Sequence, residues 1–148
     1  MNLRAILTLP LLLLLSFTTA IAEDAKDEST QVTATITIPK DIASFSDQTL
    51  ELRLYEYDPW LADVSADLVA KIDKEKFSHT AGKATEVTIE IGAGATIKPR
   101  RNYYLTLFVL DNGKRTHIGE RDGKPGICKV INDPQHSRKV KIVVRPVR

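Results

Sequence analysis

Val32-Thr33-Ala34-Thr35-Ile36-Thr37-Ile38-Pro39 decides the fold. Apolar side chains take every second position with threonines between them, the period of a strand that buries one face. Pro39 has no amide hydrogen to give a ladder and ends the run. The alternation returns at Leu50, Leu52 and Leu54, set among Glu51, Arg53 and Tyr55. It returns again at Val87, Ile89 and Ile91, set among Glu86, Thr88 and Glu90 and closed by Gly92-Ala93-Gly94. Tyr103 to Leu110 is apolar almost throughout, as in a strand covered on both faces. Asp111-Asn112-Gly113 is a hairpin-turn signal leading into Lys114 to Ile118. Gly123-Lys124-Pro125-Gly126 forms a loop before Ile127 to Ile131, and Val140, Ile142 and Val144 make a last strand that Pro146 closes.

Asp58 to Phe77 admits two readings. Asp58-Pro59 can cap and start a helix, on which Leu61, Val64, Leu68 and Ile72 share one face. Alternatively a short helical turn near 59–65 precedes a strand over Asp67 to His79, which would supply a partner for Glu86 to Ile91. Either way the chain has seven or eight strands separated by turns and no alternation of strands with helices. The expected fold is all-β, a single antiparallel Greek-key β-sandwich over 31–148. Ile97-Lys98-Pro99 followed by Tyr103 has the spacing of a tyrosine corner. In that device the phenol bonds to upstream backbone, which gives Pro99 and Tyr103 structural roles.

Working back to the start, Met1-Asn2-Leu3-Arg4 is positive, Leu11 to Leu15 is the heart of an apolar run, and Ala20-Ile21-Ala22 is a small-x-small site. Residues 1–22 therefore read as a secretory signal peptide cleaved after Ala22. Pro10 and the polar turn at Ser16 leave the run short of the roughly 20 residues of a membrane span, so no stable anchor is expected after cleavage. Residues 23–30 are charged and small and read as a flexible leader. The protein is expected to be periplasmic or secreted. Its single cysteine, Cys128, cannot form an internal disulfide, and its strand context reads as a small buried hydrophobe with a structural role.

Charge is divided along the chain. Glu23 to Thr96 carries 7 Lys and Arg against 15 Asp and Glu, whereas Ile97 to Arg148 carries 13 against 4. The division fits a basic surface for a polyanion, or acidic early strands lying beside basic late ones so that the fields cancel. An exported chain without a nucleic-acid motif points away from nucleic acid.

The residues offer no reaction. No G-x-S-x-G is present, and no family motif surrounds Cys128 to pair it with His117 or His136. His79, His117, Cys128 and His136 lack the close grouping of a copper or zinc centre, and Asp58, Asp63 and Asp67 lack a calcium-loop pattern. No cofactor or metal is expected. A possible binding surface is offered by Tyr55, Tyr57 and Trp60, clustered among Glu56, Asp58 and Pro59, and by Arg100 and Arg101. Aromatics with carboxylates suit an extracellular glycan, and they equally suit the edge of a sandwich.

With the strands in order, the chain resembles the pilotin-like envelope lipoproteins of the YbaY/YscW type. The resemblance runs from about Val32 to Val147. It rests on Val32-Thr33-Ala34-Thr35-Ile36, Leu50-x-Leu52-x-Leu54, Leu61-Ala62-Asp63, Gly82, Ile97-x-Pro99 with Tyr103, and Val140-x-Ile142-x-Val144-x-Pro146-Val147. It implies a small envelope β-sandwich that binds an envelope protein, and type III secretion pilotins help secretins reach the outer membrane; the lack of a reactive motif separately implies no catalytic function. Those lipoproteins carry a lipidated cysteine directly after the signal peptide, and Leu15 to Glu23 contains none. The expected function is an exported envelope adaptor or chaperone-like binding module. The alternative is a soluble carbohydrate- or polyanion-binding domain.

Overall fold

A computed structural model describes residues 29–131 and 137–147. The signal segment, residues 23–28 and His136 lie outside the described residues. Among the described residues nine strands follow one another: β1 (Val32–Ile38), β2 (Phe45–Tyr57), β3 (Asp67–His79), β4 (Thr85–Ile91), β5 (Asn102–Asp111), β6 (Lys114–Arg121), β7 (Lys124–Pro125), β8 (Cys128–Val130) and β9 (Lys139–Pro146). The all-β class stands, and the strands form one hydrogen-bonded path, β3-β2-β5-β6-β9-β1-β4. Short β8 continues the edge of β5 where β6 turns away, and β7 folds back on β6.

Three expectations need correction. The sheet is not wholly antiparallel, because β1 runs parallel to β9, with Thr33 opposite Lys139 and Thr37 opposite Val143. Parallel pairing is open to these two strands because nearly the whole described chain lies between them as the connection. The second correction concerns β3, which pairs with β2 rather than with β4. Both β2 and β3 are 13 residues long, whereas β4 has seven, so pairing with β2 satisfies more of the β3 backbone than β4 could. The third is the helical turn near 59–65, which is instead a pair of successive tight turns closed by Leu61 N–H to Asp58 O (3.2 Å) and Val64 N–H to Leu61 O (3.3 Å). The Asp58 carboxylate takes the Trp60 amide at 2.9 Å, a local bond that competes with helix.

Alternation puts Val32, Ala34, Ile36 and Ile38 of β1, Leu50, Leu52 and Leu54 of β2, and Val140, Ile142 and Val144 of β9 into one core. Tyr103, Leu105, Leu107 and Val109 of β5 join them. Gly119 of β6 lets the layers close, since a Cβ there would lie 2.7 Å from Leu107 Cβ and 2.8 Å from Ile142 Cγ2. Asn112-Gly113 and Asp122-Gly123 have consecutive positive φ angles, the geometry of two-residue hairpin turns. Ser29 and Thr30, the part of the 23–30 leader within the described residues, belong to the fold. Ser29 bridges Thr96, and the buried Thr30 hydroxyl donates to Gly92 O at 2.6 Å. Arg138 Nη1 donates to the carbonyls of Ser29 and Gln31, tying the approach to β9 to the start of β1.

Tyr103 lies buried at the head of β5. Its hydroxyl accepts the Lys98 amide at 2.9 Å and donates to Glu56 Oε2 at 3.3 Å. Lys98 Nζ reaches Glu56 Oε1 at 2.5 Å, and this carboxylate holds the lysine pKa above its ordinary value. Tyr103→Phe should preserve the fold and lower stability by about 1–3 kcal/mol, because two groups lose a partner in a buried setting. Urea unfolding of the two proteins checks this, and an unchanged midpoint would show that these bonds contribute nothing.

Candidate binding surface

The outward face of β3–β2–β5–β8 brings charged and aromatic side chains together. The odd-numbered residues Glu51, Arg53, Tyr55 and Tyr57 of β2 point away from the core, as do Tyr104, Thr106 and Phe108 of β5. Pairing places them in rows. One row holds Asp73, Glu51 and Phe108; the next holds Lys71, Arg53 and Thr106; a third holds Leu68, Tyr55, Tyr104 and Lys129.

Glu51 is only 3% exposed although it faces outward. Arg53 Nη2 at 2.8 Å and Lys71 Nζ at 3.1 Å share its Oε2, and Lys71 also meets Asp73 at 2.8 Å. Burial works to raise the Glu51 pKa, but the two cations outweigh it and hold the carboxyl below its ordinary value. Arg53 Nη1 donates to the Tyr55 hydroxyl at 3.1 Å. Arg53 Nε and Thr106 Oγ1, on directly opposed residues, are buried with no hydrogen-bond partner in the protein. Arg115 covers the Phe108 ring at 3.9 Å.

Above this charged band the face turns aromatic. Tyr55 stacks on Tyr104 with centroids 5.2 Å apart and planes 20° from parallel, and Tyr57 meets Tyr104 at 5.7 Å. Tyr57 and Tyr104 help line a shallow cleft of about 310 Å³ completed by Val64, Ala66, Ile127 and Lys129. Large apolar side chains stand exposed around it: Trp60 at 85%, with Leu61, Val64, Leu68 and Ile127 each more than half exposed. Exposed apolar groups in such number make this the candidate binding surface of the domain.

The residues singled out from the sequence thus part company. Tyr57 lines the cleft, Tyr55 stacks behind it on Tyr104, and Trp60 stands on the turn beside it. Arg101 lies 3.8 Å from Asp67, while Arg100 is exposed with φ 62°. Tyr104, Val64, Ile127 and Lys129 escaped the sequence reading, although the Tyr103-Tyr104 pair at a strand start placed one tyrosine outward as surely as the other inward.

The histidines and cysteine stand apart. His79 is buried, with Nδ1 2.9 Å from Thr85 Oγ1 and Nε2 3.2 Å from Ile42 O. The carbonyl can only accept, so Nε2 carries a proton. His117 packs on Phe45 at 5.1 Å, and burial followed by the charge of His79 pushes its pKa down. Cys128 pairs with Leu105 and His117 with Val109, four residues further along β5, roughly 13 Å at the strand rise. Among the described residues no three His, Cys, Asp or Glu side chains gather as metal ligands. Burial pushes the Cys128 thiol up to about 11. Native protein should therefore react with a thiol reagent more than about a hundredfold more slowly than urea-unfolded protein. Comparable rates in time-resolved labelling would place the sulfur at the surface.

The chain is similar to a solved structure of an alternative pilotin from the type II secretion system of Vibrio cholerae, with a TM-score of 0.57 and 21% identity. The match covers 80% of this chain and 96% of the other. The chain has a pilotin-like fold. No protein-family model matches the chain, and no curated protein matches it.

Proposed function

We propose that this chain is an exported envelope adaptor, a non-catalytic module that holds an apolar segment of an envelope protein at the aromatic end of its β2–β5 face. The cleft between Tyr57, Val64, Ala66, Tyr104 and Ile127 carries the reading, because five apolar or aromatic residues with one lysine suit a protein segment. The pilotin-like fold supports it, and pilotins are the class of envelope protein that the sequence resembles. A glycan platform fits less well, since sugars stack on free ring faces and Tyr55 and Tyr104 cover one another. A general polyanion site is weakened by pairing of late cations with early carboxylates: Lys98 with Glu56, Arg101 with Asp67 and Arg145 with Asp41.

Affinity capture from envelope extract, followed by mass spectrometry, tests the proposal. Trp60→Ala and Ile127→Asp alter exposed side chains, so both variants should melt like the parent yet lose the envelope protein it retains. The parent's only tryptophan, Trp60, should shift its emission to the blue when the partner binds. Equal capture by parent and both variants would overturn the assignment of this end of the molecule.

A further inference from the structure

The two ends of the sheet are built differently. At one end β3 is guarded in the manner of natural edge strands. Its ladder with β2 has register shifts between Phe45 and Gln48, Gln48 and Leu50, and Leu54 and Tyr55. Lys76 has φ 53°, and Lys71, Lys74 and Lys76 are exposed along the strand. At the other end β4 has none of these devices. Its seven residues, Thr85-Glu86-Val87-Thr88-Ile89-Glu90-Ile91, pair with β1 without a shift and contain no lysine, proline or bulge. Among the described residues its other edge carries no ladder. Its inward Val87 and Ile89 pack against the core but remain partly exposed, as do Ala70 and Ile72 of β3. Apolar surface is thus left uncovered where the sheet stops.

Charge identifies what fits there. Glu86 and Glu90 are exposed on the outward face of β4. Their β1 neighbours, Thr37 and Thr33, are neutral. The nearest cation across the sheet by register is Lys139, two strands from Glu90. That is roughly 10 Å, about one screening length in ordinary buffer. Among the described residues Glu90 accepts only a neutral bond, from Gln31 Nε2 at 3.2 Å. A second copy of the chain is a poor occupant, because full antiparallel overlap of two β4 strands sets Glu86 against Glu90 twice. The sequence at 23–28, Glu-Asp-Ala-Lys-Asp-Glu, is acidic and is repelled in the same way.

We infer that β4 is a docking edge for an extended segment of a partner chain, with Lys or Arg at alternate outward positions and β-branched residues facing inward. Main-chain bonds along the open edge supply affinity, Glu86 and Glu90 select the basic side chains, and the inward residues cover Val87 and Ile89. This edge deepens the adaptor reading, on which it rests, but uses a different surface from the aromatic cleft.

Fluorescence anisotropy with a labelled, amidated heptapeptide Thr-Lys-Val-Thr-Ile-Lys-Val tests it, since antiparallel pairing sets its lysines opposite Glu90 and Glu86. Saturable binding that weakens with salt is expected, and the same peptide with glutamate for lysine should bind at least about tenfold more weakly. The Glu86→Lys, Glu90→Lys double variant, altered only at exposed sites, should reverse that preference. A peptide with proline at its fourth position keeps the charge but lacks the amide hydrogen that would face the open edge at Thr88, and should bind far more weakly. No saturable binding, equal affinity for the lysine and glutamate peptides, or undiminished binding of the proline peptide would each overturn the docking edge. The double variant retains Trp60, Tyr57 and Ile127, so capture through the aromatic end reports on that reading separately.

Discussion

Gly92→Ala should destabilise the protein by about 3 kcal/mol, a large share of what a domain of this size has to spare. Gly92 follows β4 with φ 88°, a conformation that costs a side-chain-bearing residue about 1–2 kcal/mol. The added Cβ would also lie 2.6 Å from Thr30 O and 2.7 Å from Leu54 Cδ2. Leu54 can rotate its terminal methyl away, but the Thr30 carbonyl belongs to a backbone that Ser29 and Arg138 hold in place. Displacing it adds about 1–3 kcal/mol of overpacking. Gly82→Ala is the control, because Gly82 has φ 86° with nothing within 4 Å of its would-be Cβ. It therefore incurs the conformational cost alone. In urea the Gly92 variant should lose about 1–2 M in midpoint at constant slope. Equal losses at the two glycines would mean that the Thr30 carbonyl does not press on Gly92.

Leu107→Ala should cost about 2–5 kcal/mol, toward the upper end. Leu107 is fully buried in mid-β5, and the residue above it is Gly119. Cavity cost depends on how far neighbours can collapse into the space, and glycine has no side chain to move. Ile142 could follow only if β9 shifted with it, and β9 is held between β6 and β1. The measurement is again the urea midpoint. A loss below about 1 kcal/mol would mean that the layers close over the gap.

Much of the fold was legible in the residues. Val32 to Ile38 alternates without a fault and is β1, and Asn112-Gly113 is the turn its sequence announces. The stretch from Leu61 to Ile72 misled for a physical reason. A bulge between Leu68 and Ala70 shifts the phase of β3, and an edge strand facing solvent need not alternate, so the apolar spacing imitates a helix. In the structure Leu61, Val64 and Leu68 are exposed, which no periodicity rule anticipates. The partner of β3 was equally hidden, since nothing in its residues marks β2, 13 residues long like itself, rather than β4 as the strand it pairs with. The candidate surface was half legible. Tyr57 and Trp60 stood out as aromatics, but Lys129 reaches Tyr104 only through a pairing of β8 with β5 from 25 residues away. The buried outward Glu51 carries no sequence signal, because its burial depends on Arg53 and Lys71 closing over it.

The parallel contact between β1 and β9 has a kinetic consequence. Thr33 meets Lys139, so the first strand cannot be completed until more than a hundred residues have followed it. A chain that emerges from its amino end would expose β1 early and hold it without its final neighbour until β9 had followed. Contacts of such sequence separation give a high contact order and slow folding, because loop closure must be met before the pairing rewards it. Until β9 arrives, the apolar stripe of β1 is a surface for chaperones and for aggregation alike. The rate at which this domain folds should therefore be governed by the arrival of β9.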